Sequence, residues 1–240
     1  MVSFEIDSTE LKKIFKKLYF DGMFRKFCFK IENGCLISIE KQRNHRTLRY
    51  FKYEGFDKTL NLPYIEIDTR KINFKRILNT LPNNYISHVK IDDKRLEIKC
   101  NKSLISLHLV NVNKDIEDES VFDFEDDKVL FNNHELKTYI VTSKKEFKNM
   151  KDFNFITLSL KNKEFFVTFS IDGSKEDLTI KPLFNLGYGK DVEATITFRF
   201  EYIKKCFNRY IHIYFEKNHI LFAEYEPNMI NGLLLPKVKK

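Results

Sequence analysis

The apolar positions of this chain switch between two periods, and the switch repeats. From Ser8, the segment STELKKIFKKL puts Leu11, Ile14, Phe15 and Leu18 at the i, i+3, i+4, i+7 spacing of one helix face, leaving Lys12, Lys13, Lys16 and Lys17 on the other. Ser8 is placed to cap that helix. The chain then alternates around Asn33-Gly34, the residue pair best suited to a tight hairpin turn. The same order of helix and hairpin is predicted three more times. A second helix over Thr69 to Leu81 buries Phe74, Ile77, Leu78 and Leu81, exposes Arg70, Lys71, Lys75 and Arg76, and stops at Pro82; its hairpin turns at Asp92-Asp93. A third, roughly Asn133 to Phe147, buries Leu136, Tyr139, Ile140 and Phe147 and exposes Lys137, Thr138, Lys144 and Lys145, with a turn near Asn162. A fourth, roughly Phe198 to Arg209, buries Tyr202, Ile203, Cys206 and Phe207 and exposes Lys204, Lys205, Asn208 and Arg209, with a turn near Lys217.

Equivalent turns in the two halves are offset by about 125 to 129 positions, which points to a duplicated domain. Between the helices the chain reads as strands. In the first half these are Arg25 to Ile31, Cys35 to Glu40, Arg46 to Tyr53, His88 to Ile91, Arg95 to Cys100 and Leu104 to Val110. In the second they are Phe155 to Leu160, Glu164 to Ser170, Leu178 to Leu183, Glu193 to Phe198, Ile211 to Phe215 and Ile220 to Glu224. The fold class is α+β: antiparallel sheets carrying a few short helices on one face.

Composition narrows the function. A single basic helix face is usually ordinary solvated surface, but four in corresponding places, in a chain of formal charge +8, suit a polyanion such as duplex DNA. The contacts expected are phosphate contacts without base readout. The 24 Phe and 11 Tyr fall in alternating runs and are assigned to sheet packing. Apolar runs are too short to span a bilayer, and MVSFEIDSTELKK lacks a signal-peptide core, so the expected setting is intracellular with no membrane partner. Cys28, Cys35, Cys100 and Cys206 form no C-x-x-C pair, the six histidines lack ligand spacing, and no phosphate loop or nucleophile elbow is present. The expectation is no metal, no cofactor and no catalytic residue. From Val112 to Lys128 eight carboxylates face only Lys114 and Lys128, a net charge of −6. This acidic connector would avoid DNA, and its Ile116, Val121, Phe122 and Phe124 fit either a simple tether or a docking element.

The C-terminal stretch resembles the end of the proliferating cell nuclear antigen family of sliding clamps. Ala223-Glu224-Tyr225 stands where that family has valine-glutamate-tyrosine, and Leu233-Leu234-Leu235-Pro236-Lys237-Val238 resembles its tyrosine-leucine-alanine-proline tail. Leu11-Lys12-Lys13 is similar to a leucine-lysine-lysine on the family's first helix, and Glu54-Gly55-Phe56-Asp57 to its glutamate-glycine-phenylalanine-aspartate. The resemblance implies a two-domain protomer, 1–111 and 129–240 around the connector 112–128, with sheets outside and two short helices inside each domain. Three such protomers would close head to tail into a homotrimeric ring around duplex DNA. Such a protein is not an enzyme. It is a processivity factor that tethers DNA polymerase and other peptide-motif partners after a clamp loader places it on DNA. The setting would be the nucleus in a eukaryote, the cytoplasm in an archaeon, or a viral replication site.

The basic faces give the DNA-binding set Lys12, Lys13, Lys16, Lys17, Lys71, Lys75, Arg76, Lys137, Lys144, Lys204, Lys205 and Arg209. By resemblance, partner peptides would dock at His45, Arg46, Leu48, Val121, Phe122, Phe124, Ile220, Leu233, Leu234, Leu235 and Pro236. The family's methionine-aspartate-serine-serine-histidine there is replaced by Glu40-Lys41-Gln42-Arg43-Asn44-His45, its tyrosine by Leu233 and its pocket proline by Ile220. The subunit interface would pair edge strands through Leu104, Ile105, Leu107 and Leu109 of one copy and Leu178, Ile180 and Leu183 of the next. Two alternatives stay open at this point. One is a clamp-like subunit of a heterotrimeric or checkpoint ring, or a viral processivity factor acting as monomer or dimer. The other is a nucleic-acid-processing enzyme using Asp92-Asp93 or Asp126-Asp127, pairs that a hairpin turn and an acidic linker also explain.

Overall fold

The computed structural model describes residues 1–19, 26–41, 48–70, 72–112, 122–125, 128–131, 134–136, 139–143, 145, 154–161, 164–171, 177–180, 184–186, 194–199, 210–216 and 219–236, and the structural statements below are made of these. The chain divides into two compact units. Unit 1 comprises Met1–Glu40, Tyr50–Glu117 and Pro227–Met229; unit 2 comprises Lys41–Arg49, Asp118–Glu226 and Ile230–Lys240.

Unit 1 begins with strand β1 (Val2–Asp7), whose last residue starts helix α1 (Ser8–Tyr19). Asp7 Oδ1 accepts from the backbone N–H of Thr9 at 2.8 Å and of Glu10 at 3.2 Å, two of the donors a helix start leaves without partners. The cap is therefore Asp7, not Ser8; Ser8 lies inside the helix, fully buried. Then come β2 (Lys26–Glu32), β3 (Cys35–Lys41), β4 (Leu48–Glu54), β5 (Leu62–Asp68), α2 (Phe74–Thr80), β6 (Ile86–Ile91), β7 (Arg95–Cys100) and β8 (Ser103–Val112), of which Lys41 in β3 and Leu48 and Arg49 in β4 count with unit 2. The strand order is β1-β6-β7-β8-β5-β2-β3-β4. Strand β8 serves two ladders, Ser103–His108 pairing with β7 and Leu109, Asn111 and Val112 with β5. At Asn33 (φ 50°) and Gly34 (φ 77°) the β2–β3 hairpin turns in the left-handed region, as expected for this residue pair. The core gathers Leu11, Ile14, Phe15 and Leu18 of α1, Phe74 and Leu78 of α2, and the inward residues of β2, β5, β6 and β7.

The described residues of unit 2 are mostly antiparallel strand: β9 (Phe122–Glu125), β10 (Lys128–Phe131), β11 (His134–Glu135), β12 (Tyr139–Ser143), β13 (Phe155–Lys161), β14 (Glu164–Ser170), β15 (Asp177–Ile180), β16 (Phe184–Leu186), β17 (Ala194–Arg199), β18 (Tyr210–Glu216), β19 (His219–Glu226) and β20 (Met229–Pro236, its first residue counting with unit 1). Its strands run in the orders β20-β19-β18-β12-β16, β11-β10-β9 and β15-β14-β13-β17. The pairings Lys161↔Glu164 and Glu216↔His219 bracket the turns expected near Asn162 and Lys217.

Several expectations need correction. Where the third helix was predicted, His134–Glu135 and Tyr139–Ser143 are strands, and the latter lies between β16 and β18. Tyr139, Ile140, Val141 and Thr142 are aromatic or β-branched and fit a pleated surface better than a helix, and two partner strands supply the ladder. The second helix starts at Phe74, not Thr69. Asn73 caps it through Oδ1, which accepts the Arg76 N–H at 3.0 Å. Within the connector, Phe122–Glu125 pairs with Lys128–Phe131. Strands β1, β5, β9 to β12, β16 and β20 were not foreseen, and of the fourth predicted helix only Phe198 and Arg199 are described, at the end of β17.

Candidate nucleic-acid interface

Helices α1 and α2 are positioned by aromatic packing. The Phe74 ring lies 5.8 Å from Phe15, 5.3 Å from Tyr19 and 5.1 Å from Phe27, centroid to centroid, so one α2 side chain holds α2 against both α1 and β2. Both helices turn their apolar stripes into one core, and they pack against each other through these rings. Of the predicted DNA-binding residues, Lys16, Lys75 and Arg76 are exposed, and Lys12, Lys13 and Lys17 are half-buried along their stems. Six of the expected cations are thus carried by two helices that pack side by side. Lys71, Lys137, Lys144, Lys204, Lys205 and Arg209 lie outside the described residues.

Sequence reading missed the loop that joins α2 to β6. Lys12 Nζ donates to Asn83 Oδ1 at 2.7 Å, the Asn84 N–H donates to Thr9 Oγ1 at 3.0 Å, and the Tyr85 N–H donates to Ser8 Oγ at 3.1 Å while Ser8 N–H returns a bond of 2.8 Å to Tyr85 O. No single Asn in PNNY signals this; only the fold brings it to α1. Arg70, just before α2, forks both Asp68 carboxylate oxygens, and its guanidinium holds the Asp68 carboxyl down to about 2. That pairing turns Arg70 toward its own strand end.

The expected docking residues that are described lie in unit 2. Leu48, Ile220, Leu233, Leu234 and Leu235 are all buried. Phe122, Phe124 and Pro236 are placed by their backbones on β9 and β20, and His45, Arg46 and Val121 lie outside the described residues. For the expected subunit edges, Leu104 is 68% and Leu178 41% exposed, whereas Ile105 and Leu107 face the unit 1 core and Leu109 packs against it. Ile180 lies on β15, an end strand of its sheet, and Leu183 is outside the described residues.

The acidic pair at Asp92-Asp93 has a turn-forming role. Asp92 Oδ1 accepts the N–H groups of Lys94 and Arg95, both at 2.8 Å, and these bonds hold its pKa below the ordinary value. Asp126-Asp127 lies outside the described residues. A cavity of about 590 Å³ lies between β1 and residues 53–60, lined by Glu5, Asp7, Glu10 and Asp57 around Phe4 and Phe56. Three of its carboxylates have structural duties as well: Asp7 caps α1, Asp57 Oδ1 accepts from Thr59, and Glu10 accepts from buried Tyr53, whose phenol burial and this partner push above its usual pKa.

The sequence matches no protein-family model and no curated protein. Among solved structures, the chain is similar to A. fulgidus PCNA, seen bound to the C-terminal region of FEN-1, at 14% identity and TM-score 0.70 with all of both chains covered. It is similar to the proliferating cellular nuclear antigen of Entamoeba histolytica at 16% identity and TM-score 0.70, with 99% of this chain and 98% of that one covered. The likeness is one of fold, and it is complete: from end to end the chain has the DNA-clamp fold, mostly antiparallel sheet with short helices.

Proposed function

We propose that this chain, built on the clamp fold, is a DNA sliding clamp: a non-catalytic ring that encircles duplex DNA and tethers DNA polymerase and other DNA-processing enzymes. The observation that supports this reading is that Lys12, Lys13, Lys16, Lys17, Lys75 and Arg76 belong to two helices packed side by side through Phe15, Tyr19 and Phe74, with none of the six in the core. Lysine and arginine without a base-reading element suit a surface that must hold phosphates of any sequence and let them slide. The ring is a homotrimer in which β8 of one copy pairs with β15 of the next. Partners dock by short peptides near Leu48, Ile220 and the Leu233–Leu235 segment; that the C-terminal region of FEN-1 is bound to the A. fulgidus protein supports peptide partners as a class. Binding in this way raises an enzyme's effective concentration at the template and adds no chemistry of its own.

Retention on DNA tests the reading directly. Loaded by a clamp loader, the protein should remain on closed circular duplex and run off the same molecule once it is linearised. Equal loss from both forms would overturn topological encirclement.

A further inference from the structure

Each residue of the loop Asn83-Asn84-Tyr85 bonds to the first two turns of α1. Asn83 meets Lys12, Asn84 meets Thr9 and Tyr85 meets Ser8. The Thr9–Asn84 contact is reciprocal, since Thr9 Oγ1 also donates to Asn84 Oδ1 at 3.2 Å, and so is the Ser8–Tyr85 contact. Asn84 takes a left-handed conformation, φ 59°, which Asn tolerates better than most residues and which turns the loop back onto the helix. These bonds hold Asn83, an exposed residue on an exposed loop, at a fixed place beside a lysine ammonium.

The ammonium has only donors, so the Asn83 carboxamide must turn its oxygen to Lys12. That choice fixes the other end of the amide. Its Nδ2 group, with two N–H donors and no partner among the described residues, is held next to a positive charge. An ammonium and an amide NH2 side by side form a composite donor set for one anionic oxygen group, and the exposed Lys16 stands one helical turn on from Lys12.

We propose that Lys12 and Asn83 together form a backbone-phosphate site for DNA, in which Asn83 both positions the Lys12 ammonium and donates its own amide to the phosphate. The loop after α2 thereby belongs to the nucleic-acid surface along with the helices. This inference rests on the reading of α1 as DNA-facing, and the experiment separates the two.

Binding of the full-length protein to a fluorescently labelled 30-bp duplex of mixed sequence is measured by anisotropy over a salt series, for the parent, Lys12→Ala, Lys16→Glu, Asn83→Ala and Asn83→Asp. Asn83→Ala should weaken binding roughly tenfold or more, the weight of one hydrogen bond to a charged group, equally on unrelated sequences. Lys12→Ala should weaken it at least as much and lower the salt slope by about one. Asn83→Asp keeps an acceptor for Lys12 but puts a carboxylate oxygen where the amide donor was, so it should bind more weakly than Asn83→Ala. Asn83→Asp binding at or above Asn83→Ala overturns the phosphate contact. Parent-like binding by both Asn83 variants, with Lys12→Ala weakened, overturns the inference and leaves the α1 reading standing. Parent-like binding by Lys12→Ala and Lys16→Glu overturns both. Thermal melts verify folding, and Asn83→Ser replaces Asn83→Ala if that variant does not fold.

Discussion

Gly34 occupies a backbone conformation that an L side chain strains to reach, and its surroundings add a second penalty. A Cβ there would stand 2.7 Å from the Phe56 carbonyl oxygen and 3.0 Å from that of Asp57, both main-chain atoms that cannot rotate away. Gly34→Ala is therefore expected to destabilise the protein by about 1–3 kcal/mol, read as a lowered midpoint in urea. His212 gives a residue-scale prediction in pH. It is half-buried on β18, edge-on to Tyr225 at 4.8 Å between ring centroids, and Tyr225 bonds Tyr214 through their hydroxyls at 2.8 Å. Burial lowers its pKa below the ordinary 6.5, so the unfolded chain binds a proton more readily than the folded one. Stability from this site is fully present above pH ~6.5 and declines as the pH falls through the lowered value. Melting temperatures at pH 7.5 and 5.5 should differ more for the parent than for His212→Phe. Asp68 does not enter that window, because its carboxyl, held from 3.8 down to about 2 by Arg70, contributes stability that is lost only at more acidic pH.

At the scale of elements, α2 shows how packing stands in for length. A seven-residue helix is too short to persist alone, and Phe74 anchors it among Phe15, Tyr19 and Phe27. Phe74→Ala should cost about 3–5 kcal/mol in chemical denaturation, against about 1 kcal/mol for Asn73→Ala, which removes only the cap. The same contrast explains what was legible in the sequence. Helix α1 was readable because its 3.6-residue stripe and the sign of its other face agree over three turns. Strand β12 was not, because Leu136, Tyr139 and Ile140 happen to fall at i, i+3 and i+4, a spacing that two neighbouring strands overrule. Pro63 disguised β5, although at the second strand position, exposed, it does not prevent pairing of Ile65, Glu66 and Ile67. In β20 the run Leu233–Leu235 is buried at every position, so no alternation marked it as a strand.

For the whole molecule, charge was legible and assembly was not. Six cations could be placed on helix faces from spacing alone, but Asn83 gains its role only from contacts across 71 positions of sequence, which no local pattern carries. The strand edges pose the corresponding question between copies. On β8, Leu104 is 68% and Val110 46% exposed, and on the end strand β15 Leu178 is 41% exposed, so each carries apolar side chains that an isolated protomer leaves in water. Exposed apolar side chains of this kind favour burial, and closing a ring would cover them together with the end strand β15. The parent should therefore have the mass of three protomers by light scattering at micromolar concentration. Leu178→Asp places a charge at the middle of that contact and should reduce the mass to one protomer. The same variant should lose retention on circular DNA while keeping most of its low-salt affinity for a short duplex, because Lys12, Lys16, Lys75 and Arg76 remain together on each protomer. A Leu178→Asp protein that stays trimeric would remove β15 from the interface, and a parent that is already monomeric would remove the ring. The two measurements together separate electrostatic attraction, which a single protomer possesses, from topological linkage, which requires closure.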